Sequence, residues 1–133
     1  MTVVRRLRPG DEQVVARLAE RAPQTALLSS ESTIFLVAFE AEEPIGFVLA
    51  YELPRRHGEA AILLVYEVDV DQAHRHRGVA TALLDELARI ARERGIGEGF
   101  VLTDADNVAA NELYRSERGE PRDVVEWDFR YDR

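Results

Sequence analysis

The segment that best suits binding chemistry runs from Arg75 to Thr81. It carries Arg75 and Arg77, then the small residues Gly78 and Ala80, just before a run with helical periodicity. The first turn of a helix has backbone N–H groups without helical partners and the positive end of the helix dipole, so it attracts anions. Small residues let a pyrophosphate approach the backbone closely. The pattern favours a phosphate-binding loop over its plain alternative, an ordinary β–α turn with solvated arginines.

This loop differs from two widespread phosphate-binding motifs. No Gly-Lys-Ser/Thr follows, as a P-loop requires, and the dinucleotide pattern G-x-G-x-x-G is missing. His74 and His76 alternate with the arginines, but neighbouring cations repel a metal ion and no third ligand is placed nearby. We therefore expect no metal site here.

The strand that precedes the loop carries acids at every second position. These are Glu67, Asp69 and Asp71, and residues of equal parity share one face of a strand, so Tyr66 and Val68 should lie on the other. Neighbours on one face are roughly 6.6 Å apart. Such carboxylates attract a cationic amine, and Glu67 is the candidate general base, directly or through a water. The alternative is a solvated acid on a strand face.

Three strands are predicted in the first half of the chain. Apolar residues dominate residues 33–40, 45–53 and 60–70. The connections, residues 41–44 and 54–59, are too short for crossovers, so the strands should form an antiparallel meander. They would place the acidic strand at the end of this meander.

Shorter elements precede the meander. Residues 3–7 are rich in β-forming types, and Asp11 can cap a helix that starts just after it and stops at Pro23. Residues 24–32 suit a short second helix or a loop equally well.

Helical periodicity returns after the basic loop. An amphipathic helix of about four turns should begin at Gly78 and end with Gly95 in the C′ position. A buried strand at residues 100–103 and a helix at residues 107–117 follow. The strand–helix–strand segment from Val65 to Thr103 is a crossover, so its two strands should be parallel.

The end of the chain alternates again. Residues 124–131 predict a last strand with Trp127 and Phe129 in the core, and stacking of these rings on a substrate is a minority interpretation. The predicted fold class is therefore α/β (α+β): a mixed, mostly antiparallel sheet with helices on both faces.

Composition narrows the function. The 133 residues suit one domain, residues 1–133, and the absence of cysteine excludes disulfides, thiolate metal sites and a cysteine nucleophile. A net charge of −8 disfavours nucleic acid as a partner and weakly favours a polycation. The longest apolar run, residues 60–66, is too short to cross a membrane, and the N-terminus does not resemble a signal peptide. We expect a cytoplasmic protein.

Two motifs together carry a family resemblance. Arg75-His76-Arg77-Gly78-Val79-Ala80 resembles the Q/R-x-x-G-x-G/A acyl-CoA signature of the GNAT superfamily of N-acetyltransferases. Asn107-x-x-Ala110-x-x-Leu113-Tyr114 is similar to a helix of that family, and the element order agrees over nearly the whole chain. The resemblance implies a GNAT-like sheet with a central parallel strand–helix–strand acyl-CoA site and a bulge in the acidic strand.

A narrower resemblance concerns the acceptor. Residues 66–70, residues 74–83 and the closing Trp127-Asp128-Phe129 look like the type I aminoglycoside 3-N-acetyltransferases, which act on gentamicin-like antibiotics. The chain departs from that pattern at Arg118-Gly119-Glu120 and at Asp69, where a small apolar residue is commoner. These departures concern the substrate and not the CoA chemistry.

The resemblance implies roles for single residues. Acetyl-CoA is the donor, the amine attacks it directly in a ternary complex, and Tyr114 would protonate the leaving thiolate. Asp104 and Asp106 follow the last parallel strand and would join Glu67 and Asp69 in binding ammonium groups. The residues expected to bind acetyl-CoA are Val68, Val70, Arg75, Arg77, Gly78, Val79, Ala80, Thr81, Asn107 and Tyr114.

Several alternatives stay open. Tyr114 also suits a helix core, Asn107 a helix N-cap and Asp106 a capping role. The amine could belong to a polyamine, an amino acid or a protein N-terminus. A CoA-binding regulatory module without turnover is the rival from another class, and both monomer and homodimer are compatible with the sequence.

Overall fold

A computed structural model describes residues 1–58 and 60–132 of the chain. Its strands are β1 (Thr2–Arg6), β2 (Thr33–Glu40), β3 (Glu43–Leu53), β4 (Ile62–Val70) and β5 (Gly99–Val101). Its α-helices are α1 (Glu12–Leu18), α2 (Val79–Glu93) and α3 (Val108–Ser116), and 3-10 helices span Thr25–Ser29 and Gln72–His74. The predicted loop at residues 54–59 includes Glu59, which lies outside the described residues.

The described strands form one sheet in the order β1-β2-β3-β4-β5. Neighbours from β1 to β4 are antiparallel, whereas β4 and β5 are parallel and are connected through α2. The turn between β2 and β3 is tight, with positive φ at Ala41 and Glu42 (49° and 69°). The predicted meander, the parallel crossover and the mixed fold class are confirmed.

Each face of the sheet is covered by helices. On one face, Leu83, Leu87 and Ile90 of α2 pack against Leu36 and Val48 of the sheet. On the other face, α1 and the first 3-10 helix cover a separate apolar cluster that includes Val15 and Leu28. Removing this apolar surface from water is the main stabilising contribution to the fold.

Gly46 lets the start of α2 approach the sheet. A Cβ atom built there would lie 3.1 Å from the carbonyl oxygen of Asp69 and 3.2 Å from Cγ1 of Val79. Both distances are shorter than a comfortable contact, so a larger residue would push the helix start away from β3 and β4. Gly46 thereby helps to fix the position of the basic loop.

The C-terminal end of α2 agrees with its prediction, whereas both ends of α1 differ from theirs. Gly95 follows the end of α2 as predicted, with a left-handed φ of 71°. Its N–H donates to the Arg92 carbonyl at 3.2 Å, and the N–H of Ile96 donates to the Ala91 carbonyl at 2.9 Å. The prediction for α1 was wrong in two respects. The helix stops at Leu18, before Pro23, because Ala19 is already extended. Asp11 makes no side-chain cap and instead accepts hydrogen bonds near the turn after β1.

The prediction for residues 124–131 was also wrong. Within the described part of the chain, these residues form no regular secondary structure. Trp127 and Phe129, expected in the core, are 77% and 69% exposed. The alternating pattern describes a strand-like surface, but a strand also needs a backbone partner, which this segment does not find within the described fold.

The described helices include no candidate membrane span. Among those in the described ranges, none is long and apolar enough to span a bilayer, and α2 has 15 residues.

Candidate active site

A cleft opens where β4 and β5 separate. Their parallel pairing joins residues 63–65 to residues 99–101, after which β5 ends while β4 continues to Val70. The cleft has a volume of about 620 Å³. One wall comes from β4 and the end of β5, with Tyr66, Glu67, Val68, Asp69 and residues 101–103. A second wall comes from α3 and the residue before it, with Asn107, Ala110 and Tyr114. The remaining lining comes from α1 and the segment after it (Val15, residues 18–24 and Leu27) and from Phe35, Phe47 and Leu49 of the sheet. Beyond Val65, β4 therefore stays paired with β3 on one edge, while its other edge borders the cleft and pairs with no strand in the described part of the chain.

A β-bulge sets which side chains of β4 face the cleft. Glu67 pairs with Leu49 and Val65 pairs with Ala50, so Tyr66 is the extra residue on β4. Val65 and Val68 consequently both pack against the α2 side. The prediction that Tyr66 shares a face with Val68 was wrong, because the bulge shifts the alternation by one residue.

Glu67 lies beside an aromatic pair at this bulge. The rings of Tyr51 and Tyr66 meet edge to face at 5.7 Å. Burial raises the pKa of the Tyr51 phenol, and Tyr66 and the charge of Glu67 raise it further. Glu67 is thus a carboxylate in the cleft wall, next to a hydroxyl that stays protonated at neutral pH. This placement suits an acceptor for the proton of an amine.

Asp69 lines the same cleft but is engaged locally. Its Oδ1 accepts a hydrogen bond from the Val70 N–H at 3.0 Å and lies 3.7 Å from a guanidinium nitrogen of Arg75. Arg75 also donates through Nε to the Val70 carbonyl at 2.9 Å. Asp69 therefore connects the cleft to the basic loop, in addition to any contact with an amine.

The basic loop leads into a helix start with free donors. Gly78 has φ 77° and its carbonyl accepts the N–H of Ala82 at 3.0 Å, the first bond of α2. The N–H groups of Val79, Ala80 and Thr81 precede that bond and have no helical acceptor. The Arg77 side chain is exposed beside them. These donors and charges could hold the diphosphate of acetyl-CoA, and the edge of β4 without a partner strand in the described ranges could hold its amide-containing arm.

Helix α3 contributes two polar residues to the cleft. Asn107 is the N-cap, its Oδ1 accepting the Ala110 N–H at 3.1 Å, and it also lines the cleft. Tyr114 packs partly against the core, and burial raises the pKa of its phenol. Tyr114 is therefore protonated at neutral pH, as a proton donor must be.

The remaining predicted acids lie beside the cleft. Asp104 and Asp106 occupy the exposed turn before α3 and are not among the lining side chains. A hydrogen bond with Asp128 and then its charge raise the pKa of Glu126, with a smaller effect from Asp104. These acids form a negative group near the turn.

Two features of the site were not predicted from the sequence. Tyr51 is not a lining residue but contacts Tyr66, and it shares strand parity with Phe47 and Leu49 of the cleft, so parity on β3 could have identified it. Residues 19–24 line the cleft, but their composition gives no such signal. In the described ranges no group of three or more acidic or histidine side chains could hold a metal ion.

The fold and the separation of the parallel strands β4 and β5 agree with the family that the sequence comparison identifies. The sequence matches the acetyltransferase (GNAT) family over residues 4–119. The chain belongs to this family.

Individual relatives carry different substrate names. An L-2,4-diaminobutyric acid acetyltransferase from Streptomyces anulatus is 42% identical over 78 residues, 58% of this chain and 43% of that protein. Human N-acetyltransferase 8 is 30% identical over 89 residues, 67% of this chain and 39% of that one. This chain spans less than half the length of these curated relatives.

Solved structures match the whole chain. An aminoglycoside acetyltransferase, HMB0005, from an uncultured soil metagenomic sample has a TM-score of 0.87 and 30% identity, with 99% of each chain covered. Another, meta-AAC0020, has a TM-score of 0.90 at 21% identity, covering 98% of this chain and 97% of that one. The second likeness supports the fold alone.

Proposed function

We propose that residues 1–133 form an acetyl-CoA-dependent N-acetyltransferase domain that acts on an aminoglycoside, at its 3-amino group. The observation that carries this proposal is a single cleft lined by Glu67 and Tyr114, bordered through Asp69 and Arg75 by an anion-binding helix start. This arrangement supports three roles around one space: Glu67 as the proton acceptor, Tyr114 as the proton donor and the start of α2 as the phosphate site.

The proposed reaction is a direct transfer. Glu67 accepts a proton from the ammonium group, directly or through a water, and the nitrogen lone pair then attacks the acetyl carbonyl carbon. The C–S bond breaks as the amide forms, and Tyr114 protonates the departing thiolate. The second proton that the nitrogen loses after its attack restores the phenol of Tyr114. The products are the acetylated amine and free CoA. Holding both reactants in line contributes much of the rate enhancement.

Acetyl-CoA would bind along β4 and the basic loop. The backbone at Val68 and Val70 would bind its arm, with Asn107 nearby. Its diphosphate would contact the following residues of the loop and helix start: Arg75, Arg77, Gly78, Val79, Ala80 and Thr81.

Charge supports a polycationic acceptor. The cleft is lined by Glu20, Glu67 and Asp69 against one arginine, Arg21. Asp104, with Asp106 in the same turn, adds negative charge near the cleft. An amino sugar that carries several ammonium groups would complement this excess of carboxylates. The likeness to HMB0005, over 99% of both chains, points to the same class of acceptor.

A second acceptor is 2,4-diaminobutyrate. The relative that is 42% identical over 78 residues is named as an L-2,4-diaminobutyric acid acetyltransferase. Arg21 in the cleft could bind the carboxylate of diaminobutyrate, while Glu67 and Asp69 bind its ammonium groups. The two acceptors differ in that only diaminobutyrate needs a cation in the cleft.

A panel of amines tests the proposal. Purified protein is given acetyl-CoA with gentamicin, 2,4-diaminobutyrate, spermidine or a short peptide, and free thiol is measured. We expect the largest kcat/KM for gentamicin, and NMR of the product should place the acetyl group on the 3-amino nitrogen. A larger kcat/KM for diaminobutyrate, lost in Arg21→Ala, would favour the second acceptor. No thiol release with any amine would support a non-catalytic CoA-binding module.

Tyr114→Phe tests the proton donor. The substitution keeps the ring packing and removes the hydroxyl, so kcat should fall by roughly 10- to 100-fold with little change in acetyl-CoA affinity. Because burial raises the pKa of Tyr114, any loss of wild-type kcat from its ionisation should begin at a higher pH than for an unburied phenol. Steady-state kinetics from pH 6 to 10 measure both effects. Unchanged kcat in the variant across this range would remove Tyr114 from the mechanism.

A further inference from the structure

The part of the cleft wall that follows β5 has no partner strand in the described part of the chain. β5 ends at Val101, and residues 101–103 line the cleft while β4 continues to Val70. Among the described residues, no backbone hydrogen bond joins residues 102–106 to β4. These residues are instead bonded toward α3, because the Asn107 N–H donates to the Asp104 carbonyl at 3.1 Å. The hydrogen bonds that hold this wall therefore come from the helix and not from the sheet.

The side chain of Asn111 adds to this attachment. Its Nδ2 lies 3.0 Å from the carbonyl oxygen of Asp104, 3.4 Å from that of Ala105 and 2.8 Å from that of Asn107. An Asn amide carries two N–H donors, so the two shorter contacts are the ones that it can satisfy fully. Asn111 is half-buried and is not among the residues that line the cleft. It therefore holds the turn without entering the space where the reactants would lie.

The residue type at this position favours such an attachment. Asn111 is the fourth residue of α3, where Asn is a poorer helix former than Leu or Ala. The main-chain N–H of Asn111 donates to the Asn107 carbonyl at 3.0 Å, as that of any helical residue would. The bonds from its side chain to Asp104 and Asn107 are what Asn contributes here, and they offset its lower helix propensity.

Asn111 connects two parts of the proposed active site. The turn that it holds carries Asp104 and follows the wall at residues 101–103. The helix that carries Asn111 also carries Tyr114, which lines the cleft. The position of the turn relative to the helix thus sets how an acceptor meets the proton donor, and a displacement of about 1 Å can slow a positioned reaction by about 100-fold.

We propose that Asn111 is a positioning residue for acetyl transfer: its amide fixes the turn at residues 104–107 against α3, and through the turn the cleft wall beside Tyr114. This inference rests on the proposed function. Without the amide, the turn loses its side-chain hydrogen bonds and keeps the backbone bond between Asn107 and Asp104. The acceptor and Tyr114 then meet less often in the reactive arrangement, whereas the phosphate site at the start of α2 is unaffected.

Asn111→Leu tests this attachment, because leucine has nearly the same size, carries no donor and is the better helix former. We expect the amide hydrogen exchange of Asn107, measured by NMR, to quicken by about tenfold or more, while that of Leu87 in α2 stays unchanged. A general loss of stability would quicken exchange at both amides. With the best amine of the panel, kcat should fall by roughly tenfold, and calorimetry should find an acetyl-CoA affinity within about threefold of wild type.

Glu112→Leu is the matched control. Glu112 is the exposed neighbour of Asn111 in α3, so the same leucine enters the helix without removing a donor from the turn. Neither the exchange of Asn107 nor kcat should change in this variant. Asn111→Asp keeps the size and removes the donors, and it replaces the leucine variant if that variant does not fold.

Two results would overturn the proposal. One is an unchanged exchange rate of Asn107 in a folded Asn111 variant, and the other is an unchanged kcat in a variant whose Asn107 exchanges faster. A wild-type protein that releases no thiol with any amine would count against the proposed function itself. In that case the exchange of Asn107 would still decide whether Asn111 holds the turn.

Discussion

Gly78→Asp should weaken acetyl-CoA binding at least tenfold. Gly78 precedes the unpaired N–H groups at the start of α2, and open space surrounds the position that a Cβ atom would take. A carboxylate there would meet the diphosphate, and two like charges about 4 Å apart repel by roughly 1–4 kcal/mol near a protein surface. Isothermal titration calorimetry measures the affinity.

The chain offers a matched control for backbone strain. Gly95, at the other end of α2, has φ 71° against 77° at Gly78, and a Cβ atom added at either glycine would also point into open space. Gly95→Asp therefore carries the same left-handed strain, about 1–2 kcal/mol, without a charge near the loop. Gly95→Asp should lose more stability, because its charge lies at the negative end of the helix dipole, but only Gly78→Asp should lose affinity. Equal affinities would mean that acetyl-CoA does not contact this helix start.

The helix and the meander could be predicted because their signals are local. The periodicity of α2 and the left-handed glycine after it lie within one short stretch of chain, and the structure follows both. The turn at Ala41 and Glu42 is short enough to force its two strands to pair antiparallel. In each case, the residues that decide the structure are neighbours in sequence.

The bulge and the close packing depend on contacts that the sequence does not display. Nothing in the residue types of β4 marks Tyr66 as the extra residue of the bulge, so the alternation of side chains alone could not locate the bulge. The role of Gly46 depends on Val79 of a helix that follows much later in the chain. The chemistry of Glu67 was enough to make it a candidate, whereas the effect of its charge on Tyr51 depends on the register of β3 and β4.

For residues 124–131 the local pattern of side chains was recognised, but the strand predicted from it was wrong. The period-two pattern correctly describes a surface with one apolar side, but the sequence does not state which edge that surface will meet. The described fold leaves Trp127 exposed. A strand prediction is thus a statement about side chains, and pairing requires a partner strand.

Glu67→Gln should lower kcat by about 100-fold or more, because it removes a proton acceptor and leaves the shape of the cleft intact. The carboxylate lies in the cleft wall beside Tyr51, while Asp69 is engaged with Val70 and Arg75. Asp104→Asn is the matched control: it also removes one negative charge, but from the turn beside the cleft. It should act mainly on KM.

Salt separates attraction from proton transfer in these variants. Exposed charges are screened over roughly 10 Å at 0.1 M salt, so KM for gentamicin should rise with ionic strength more steeply than KM for a monoamine. Asp104→Asn should flatten that rise, whereas the kcat deficit of Glu67→Gln should persist at every salt concentration. If Glu67→Gln raised KM alone, Glu67 would be an anchor for the amine and a water or another acid would be the base. If KM for gentamicin were flat in salt while a peptide N-terminus reacted faster, the aminoglycoside proposal would fall, and the family membership would stand without it.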